Sequence, residues 1–198
     1  MNTIHHGFWT YFIFRKKKKL VKYFIVGSVS PDLIYYIMFI YLGVIQNVLN
    51  ESFFSSFFHM FFSKSNEGFS LFLFKPLTDL VHVMFDHPVV ILLRMAGHSI
   101  VIWGIIFSLS VWRNGIQLNR INSFMWGWLG HILIDLLTHV TDAVPIFYPI
   151  SNVIIRGPIS YWHPQYFGRE FSVVHIFIMV AAIVFLIIEK VKKLRKYR

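Results

Sequence analysis

The chain has no cysteine, and only nine of its 198 residues are acidic. The first absence excludes disulfides, thiolate metal sites and a cysteine nucleophile. Charged residues make up 14% of the chain, against about 25% in soluble domains. That leaves too little polar surface for a fold at ease in water. No G-x-S-x-G elbow, Gly-rich phosphate loop, solenoid-length repeat or low-complexity linker occurs. What is abundant is apolar: 56% hydrophobic residues, 22 phenylalanines and a mean hydropathy of +0.60. The chain reads as an integral membrane protein with one domain over residues 1–198.

Four stretches are long and apolar enough for a bilayer, which needs about 20 residues. They are roughly 23–47, 88–112, 121–141 and 171–188. Asp32, Arg94 and Asp135 are charged residues inside the first three. Fourteen of the 19 Lys and Arg residues fall in three places: the run RKKKKLVK at 15–22, Arg113 with Arg120, and the tail KVKKLRKYR at 190–198. An even number of spans puts all three on one face, which the positive-inside rule makes cytoplasmic. Both termini are then cytoplasmic. The absence of a signal-peptide pattern suits a prokaryotic inner membrane. A basic run can also be a nucleic-acid tail. Its coincidence with span ends favours lipid headgroups instead, so no nucleic-acid partner is expected.

Three aromatic pieces are too short or too polar to span. IHHGFWTYFIF (4–14) is expected to be an interfacial or re-entrant helix. The stretches 52–62 and 69–85 fall on the outer side. The expected fold is all-α: a polytopic helical bundle of about four transmembrane helices with short interfacial or re-entrant ones.

The informative residues are polar ones in oily helices. An Asp at a span centre costs about 2.5–3.5 kcal/mol on insertion scales. Asp32 lies ten residues past Lys22 and His131 eleven past Arg120. At about 1.5 Å per residue both sit roughly 15 Å deep. His98, eleven residues past His87, reaches a similar depth from the other side. In GHILIDLLTH, His131 and Asp135 stand at i and i+4, one helix face, and His139 continues it by another turn. Thr138 and Asp142 fall on the same side. Imidazole and carboxylate on consecutive turns can grip one ion. The donor set suits Zn2+, with Mn2+ or Fe2+ as alternatives. The bland reading is hydrogen bonding between helices, common in membrane bundles. For one histidine that reading is preferred; for His131, Asp135, His98 and Asp32 together the metal is. Pro31, directly before Asp32, favours a shaped site there. His82, Asp86 and His87 repeat the spacing, and an exposed interfacial pair explains them equally well. Ser99 beside His98 is no catalytic pair, because adjacent helical residues point apart.

VGSVSPDL, RMAGHSI, GHILIDLLTH and PIFYPIS, in this order, resemble the YdjM-type membrane-bound metal-dependent hydrolases. That group is distantly similar to zinc-dependent phospholipases C. The resemblance runs from the N-terminus to about residue 162. It implies an all-helical membrane protein with a metal site and hydrolase chemistry on a phosphate ester. It also implies Asp32 as a carboxylate ligand or the group orienting water, and His98, His131 and Asp135 as ligands, Asp135 able to bridge two ions. The family's early histidine corresponds to His5 or His6, and His139 to a histidine at the edge of the site. The chain departs from the pattern at Asp142, where a glycine is common. Glu170 and His175 do not share a face well, so one or two ions are expected rather than three.

The function expected is therefore metal-activated hydrolysis of a lipid or lipid-linked phosphate ester, with Asp32 and Asp135 at the chemistry. Arg94, at i, i+4 to His98, either stabilises phosphoryl oxygens or snorkels to the interface. His5 and His6 reach the other ligands only if the segment 4–14 dips into the membrane. The alternatives are a metal-ion or proton transporter, to which intramembrane His and Asp also belong, and a non-catalytic membrane protein.

Overall fold

The computed structural model of the chain describes residues 2–55, 67–161 and 163–196, without the side chains of 67–74 and 196. Among the described residues every regular element is helical. The chain divides into two compact units, Met1–Val29 with Ser99–Arg198, and Ser30–His98.

The first unit is built on α1 (Thr3–Phe14), α2 (Val21–Val29), α6 (Ile100–Asn114), α7 (Arg120–Thr138) and α8 (Gly168–Lys196). Local signals set their ends. Asn2 caps α1 by accepting from the Ile4 amide at 3.0 Å. Ser99 caps α6, accepting from the amides of Val101 and Ile102. Gly115, at φ 70°, ends α6, and Asn119 caps α7. Two glycines let α2 and α7 touch backbone to backbone. A Cβ on Gly27 would stand 1.9 Å from the Phe124 carbonyl oxygen, and one on Gly127 would stand 2.0 Å from that of Phe24. The α6–α7 hairpin is locked by fully buried Asn122. Its amide accepts from Ser110 Oγ at 2.8 Å and donates to the Gly115 and Gln117 carbonyls at 2.7 and 2.8 Å. Beyond α7 the chain returns as a strap. Gly157 and Tyr161 donate their amides to the carbonyls of His139 and Thr138, at 2.8 and 3.0 Å. Those are end-of-helix acceptors that would otherwise lack a partner.

The second unit holds the turn Ser30–Asp32, α3 (Leu33–Ile45), α4 (Glu67–Asp86) and α5 (Pro88–Gly97). Its core is Met38, Leu42, Leu80, Met84 and Val90. His87 caps α5 and Pro88 opens it, so the chain bends by 67° between α4 and α5. Gly97 closes against Pro31, where a Cβ would lie 3.4 Å from Pro31 Cα.

Among the described residues two helical segments are long and apolar enough to cross a membrane, Val21–Ile45 and Gly168–Arg195. The bent pair α4–α5 would make a third if it is one broken span. This corrects the expected four. The stretch 88–112 is not one helix: it breaks at His98 and Ser99, leaving α5 with 10 residues and α6 with 15. Fifteen residues reach about 22 Å, short of a core about 30 Å thick. The stretch 121–141 forms α7, but Asn122, Ser123, His131, Asp135 and Thr138 make it too polar to count as a span. Of the aromatic stretch 52–62, residues 56–62 lie outside those described.

Candidate metal centre

The first unit gathers imidazoles around one carboxylate. Asp135 sits one turn past His131 on α7, and α1 brings His6 to it. His6 Nε2 lies 2.9 Å from Asp135 Oδ1, His131 Nε2 lies 3.1 Å from Oδ2, and His139 Nε2 lies 3.3 Å from Oδ1. His6 and His131 are fully buried, and their rings stack with centroids 4.0 Å apart.

Hydrogen bonds fix the rings. His131 Nδ1 donates to the Ser28 carbonyl at 2.7 Å. His139 Nδ1 donates to Asp142 Oδ2 at 2.6 Å. With its proton on Nδ1, each neutral ring presents an Nε2 lone pair to Asp135. A histidine held this way by a carbonyl or carboxylate is the usual arrangement of a metal ligand. Both ring nitrogens of His6 are buried; among the described residues Nδ1 has no hydrogen bond, and Nε2 approaches Asp135 Oδ1. Two donors bound to one ion at about 2.0–2.1 Å stand roughly 2.8–3.4 Å apart across octahedral and tetrahedral geometry. The three distances to Asp135, 2.9, 3.1 and 3.3 Å, fall in that range, and among the described residues the buried Nδ1 of His6 has no partner. The residues present therefore fit an ion.

His139 is not on the helix as the i, i+4 reading expects. It caps α7 in an extended conformation and turns its ring back over Asp135. Burial would lower its pKa; the hydrogen bonds to Asp135 and Asp142 outweigh that and raise it.

The second unit repeats the arrangement on a smaller scale. His98 Nδ1 donates to the Arg94 carbonyl at 2.9 Å, and its Nε2 faces Asp32 Oδ1 at 3.7 Å. Asp32 and His98 are both buried. The Arg94 guanidinium lies 5.7 Å over the Phe85 ring. Each unit thus carries His and Asp side chains of the kind that could hold a metal ion, His131 with Asp135 in the first and Asp32 with His98 in the second.

His5 faces elsewhere. Its ring lies tilted by 57° against that of His175 with centroids 4.6 Å apart, and its Nδ1 is 3.4 Å from the Tyr161 hydroxyl. Of the histidine pair it is His6 that turns to the carboxylate, since neighbouring helical residues point about 100° apart. His175, buried on α8, accepts from Trp9 Nε1 at 2.8 Å. His82 and Asp86 are exposed. Sequence reasoning did not find the Ser28 and Arg94 carbonyls, because a backbone acceptor leaves no residue signature. Gly27 and Gly127 did carry a signal, as glycines inside apolar helices. No family model, curated protein or solved structure matches the chain.

Proposed function

We propose that the protein is a membrane-bound, metal-dependent hydrolase acting on the phosphate ester of a lipid or lipid-linked substrate. The observation that carries the reading is the set of fixed tautomers. His131, His139 and His98 each spend Nδ1–H on an acceptor and turn Nε2 toward a carboxylate. Lone pair facing carboxylate is repulsive unless the ring takes up a second proton or a cation lies between. In this reading His6, His131 and His139 would hold Zn2+ with Asp135, and Asp32 with His98 would offer a second donor pair of the same chemistry. When bound, the ion supplies Lewis acidity and a water of lowered pKa, near 7. Asp135 or Asp32 orients that water, and Arg94 offers its guanidinium to phosphoryl oxygens. The motif resemblance to YdjM-type hydrolases supports the same reaction class.

With Val21–Ile45 and Gly168–Arg195 as the two spans and α4–α5 re-entrant, the basic runs at either end of the chain share a face, which would be cytoplasmic. The two segments able to span are compatible with a membrane protein; the prokaryotic inner membrane is part of the proposal.

A proton relay is the second reading. His6, Asp135, His139 and Asp142 run in series at 2.9, 3.3 and 2.6 Å, from a fully buried ring to a carboxylate 31% exposed. Elemental analysis of detergent-purified protein separates the two. Stoichiometric zinc or manganese in the wild type, lost in His131→Ala and Asp135→Ala, is expected. It should accompany hydrolysis of a phosphodiester in wild type alone. A wild type that binds no metal even after loading would refute the hydrolase and leave the relay.

A further inference from the structure

We propose that the basic end of the first unit is a single binding surface for anionic phospholipid headgroups, assembled from runs at opposite ends of the sequence. The surface follows from how α1 lies along α8. Trp9 meets His175, Phe12 meets Phe185 with centroids 6.0 Å apart, and Arg15 Nε donates to Glu189 at 3.0 Å. Residue numbers rise together in these pairs, so the two helices run parallel and their basic C-terminal ends arrive side by side.

Arg15 is the clamp. Its guanidinium lies 4.6 Å over Phe12 and 5.1 Å over Phe185, and it donates to the Phe12 carbonyl as well as to Glu189. An arginine can stack and fork in this way where a lysine cannot. It is therefore occupied in structure rather than offered to a ligand. The four lysines of 16–19 that follow it are exposed, as are the four cations of 190–195 on α8. Lys22 and Arg120 join from α2 and α7, at 5.2 and 6.0 Å from the same Tyr23 ring. On these segments the one acid is Glu189, and Arg15 neutralises it. Ten exposed cations thus share one end of the unit, 174 residues apart at their closest ion pair.

The location names the partner. The surface sits where Val21–Ile45 begins and Gly168–Arg195 ends, the two segments able to cross a membrane. Clustered Lys and Arg next to a span meet the headgroup layer, where they attract acidic lipids within about a Debye length. Exposed lysines free of acids are also unlike a solvated surface of mixed sign, which would intersperse Asp and Glu. The surface does not depend on the metal or on the proposed hydrolysis.

The test uses the full chain reconstituted in phosphatidylcholine vesicles carrying trace pyrene-labelled phosphatidylglycerol or pyrene-labelled phosphatidylcholine. Energy transfer from the protein tryptophans reads the lipid beside the protein. The wild type should concentrate labelled phosphatidylglycerol several-fold over labelled phosphatidylcholine. Salt near 1 M, where the Debye length is about 3 Å, should bring the ratio toward one without any mutation. Replacing the cations of 16–19, or those of 190–195, with Gln should each lower the ratio, with helix content checked by circular dichroism. The pair Arg15→Gln with Glu189→Gln leaves net charge unchanged, yet should also lower it by freeing the two runs from each other. Equal transfer to both lipids in the wild type would overturn the proposal. So would a ratio unmoved by both neutralised variants, or retention of RNA by the protein with no lipid preference. An unmoved ratio in the Arg15/Glu189 pair would overturn the single-surface claim.

Discussion

Adding one methyl group at Gly127 should disable the site from more than a full turn away. The Cβ of Gly127→Ala would stand 2.0 Å from the Phe24 carbonyl oxygen, 2.8 Å from its carbon and 3.0 Å from Phe24 Cα. All three are backbone atoms, so no side chain can swing aside. Real Cβ contacts essentially never fall below 3.0 Å. The α2 and α7 backbones must therefore part by about 1 Å where they cross, since helices this closely packed do not deform locally. His131 on α7 reaches the Ser28 carbonyl on α2 at 2.7 Å. An added ~1 Å stretches that beyond hydrogen-bond range. Overpacking of this kind costs about 1–3 kcal/mol, and the lost buried hydrogen bond adds about 1–3 kcal/mol. The expected penalty is therefore roughly 2–6 kcal/mol, with the His131 ring no longer fixed toward Asp135. The assay is unfolding of the detergent-purified protein followed by circular dichroism, with metal content measured on the same sample. Gly130→Ala is the control, three residues along the same helix, where a Cβ meets nothing within 4 Å. It should be neutral or stabilising by up to about 1 kcal/mol. Equal stability and equal metal content in the two variants would refute the backbone-contact argument.

Two further outcomes follow from named groups. Asn122→Ala strips the Ser110 hydroxyl of its acceptor and the Gly115 and Gln117 carbonyls of their donor; it should cost about 1–3 kcal/mol, read as a lowered unfolding midpoint, and an unchanged midpoint would count against the lock. The raised pKa of His139 carries a sign for pH. In chelator-treated protein its contribution is complete below the ordinary histidine value of 6.5 and is lost as pH rises through the raised folded value. Thermal melts with chelator should therefore fall with rising pH in that window. With zinc added the slope should reverse, because protons compete with the ion for Nε2.

The part of the site that helix geometry alone decides was legible in the sequence. His131 and Asp135 meet because i and i+4 share a face in any α-helix, and both units proved helical. Similar depth put Asp32, His98, His131 and Asp135 in one expected ligand set; within the second unit the Asp32 and His98 side chains stand 3.7 Å apart. What depends on helix rotation or on breaks was not legible. The choice of His6 over His5 needs the angle at which α1 meets α7, and no pattern in IHHGFWTYFIF encodes it. The apolar run 88–112 looks continuous because its composition is. It breaks because Gly97 lies against Pro31 and Ser99 captures the first amides of α6. His139 leaves the helix because α7 ends at Thr138, where the strap takes up the terminal carbonyls. These are tertiary causes that periodicity does not record.

The ring geometry also ranks the two functional readings against each other. If His6 and His131 were both imidazolium rather than metal-bound, they would be two cations stacked 4.0 Å apart, both fully buried; a neutral His6 with its proton on Nε2, toward Asp135, escapes this. Even at an effective dielectric of 20, two unit charges at 4 Å repel by about 4 kcal/mol. One carboxylate cannot offset that for two rings while also meeting His139. A proton relay therefore runs with at least one of the stacked pair neutral at any moment. A divalent ion has no such conflict. It accepts several neutral imidazole lone pairs together, and its charge balances the carboxylate that apolar surroundings cannot solvate. The stacking that penalises paired protonation is indifferent to metal binding, so the same 4.0 Å contact that narrows the relay leaves the hydrolase reading intact.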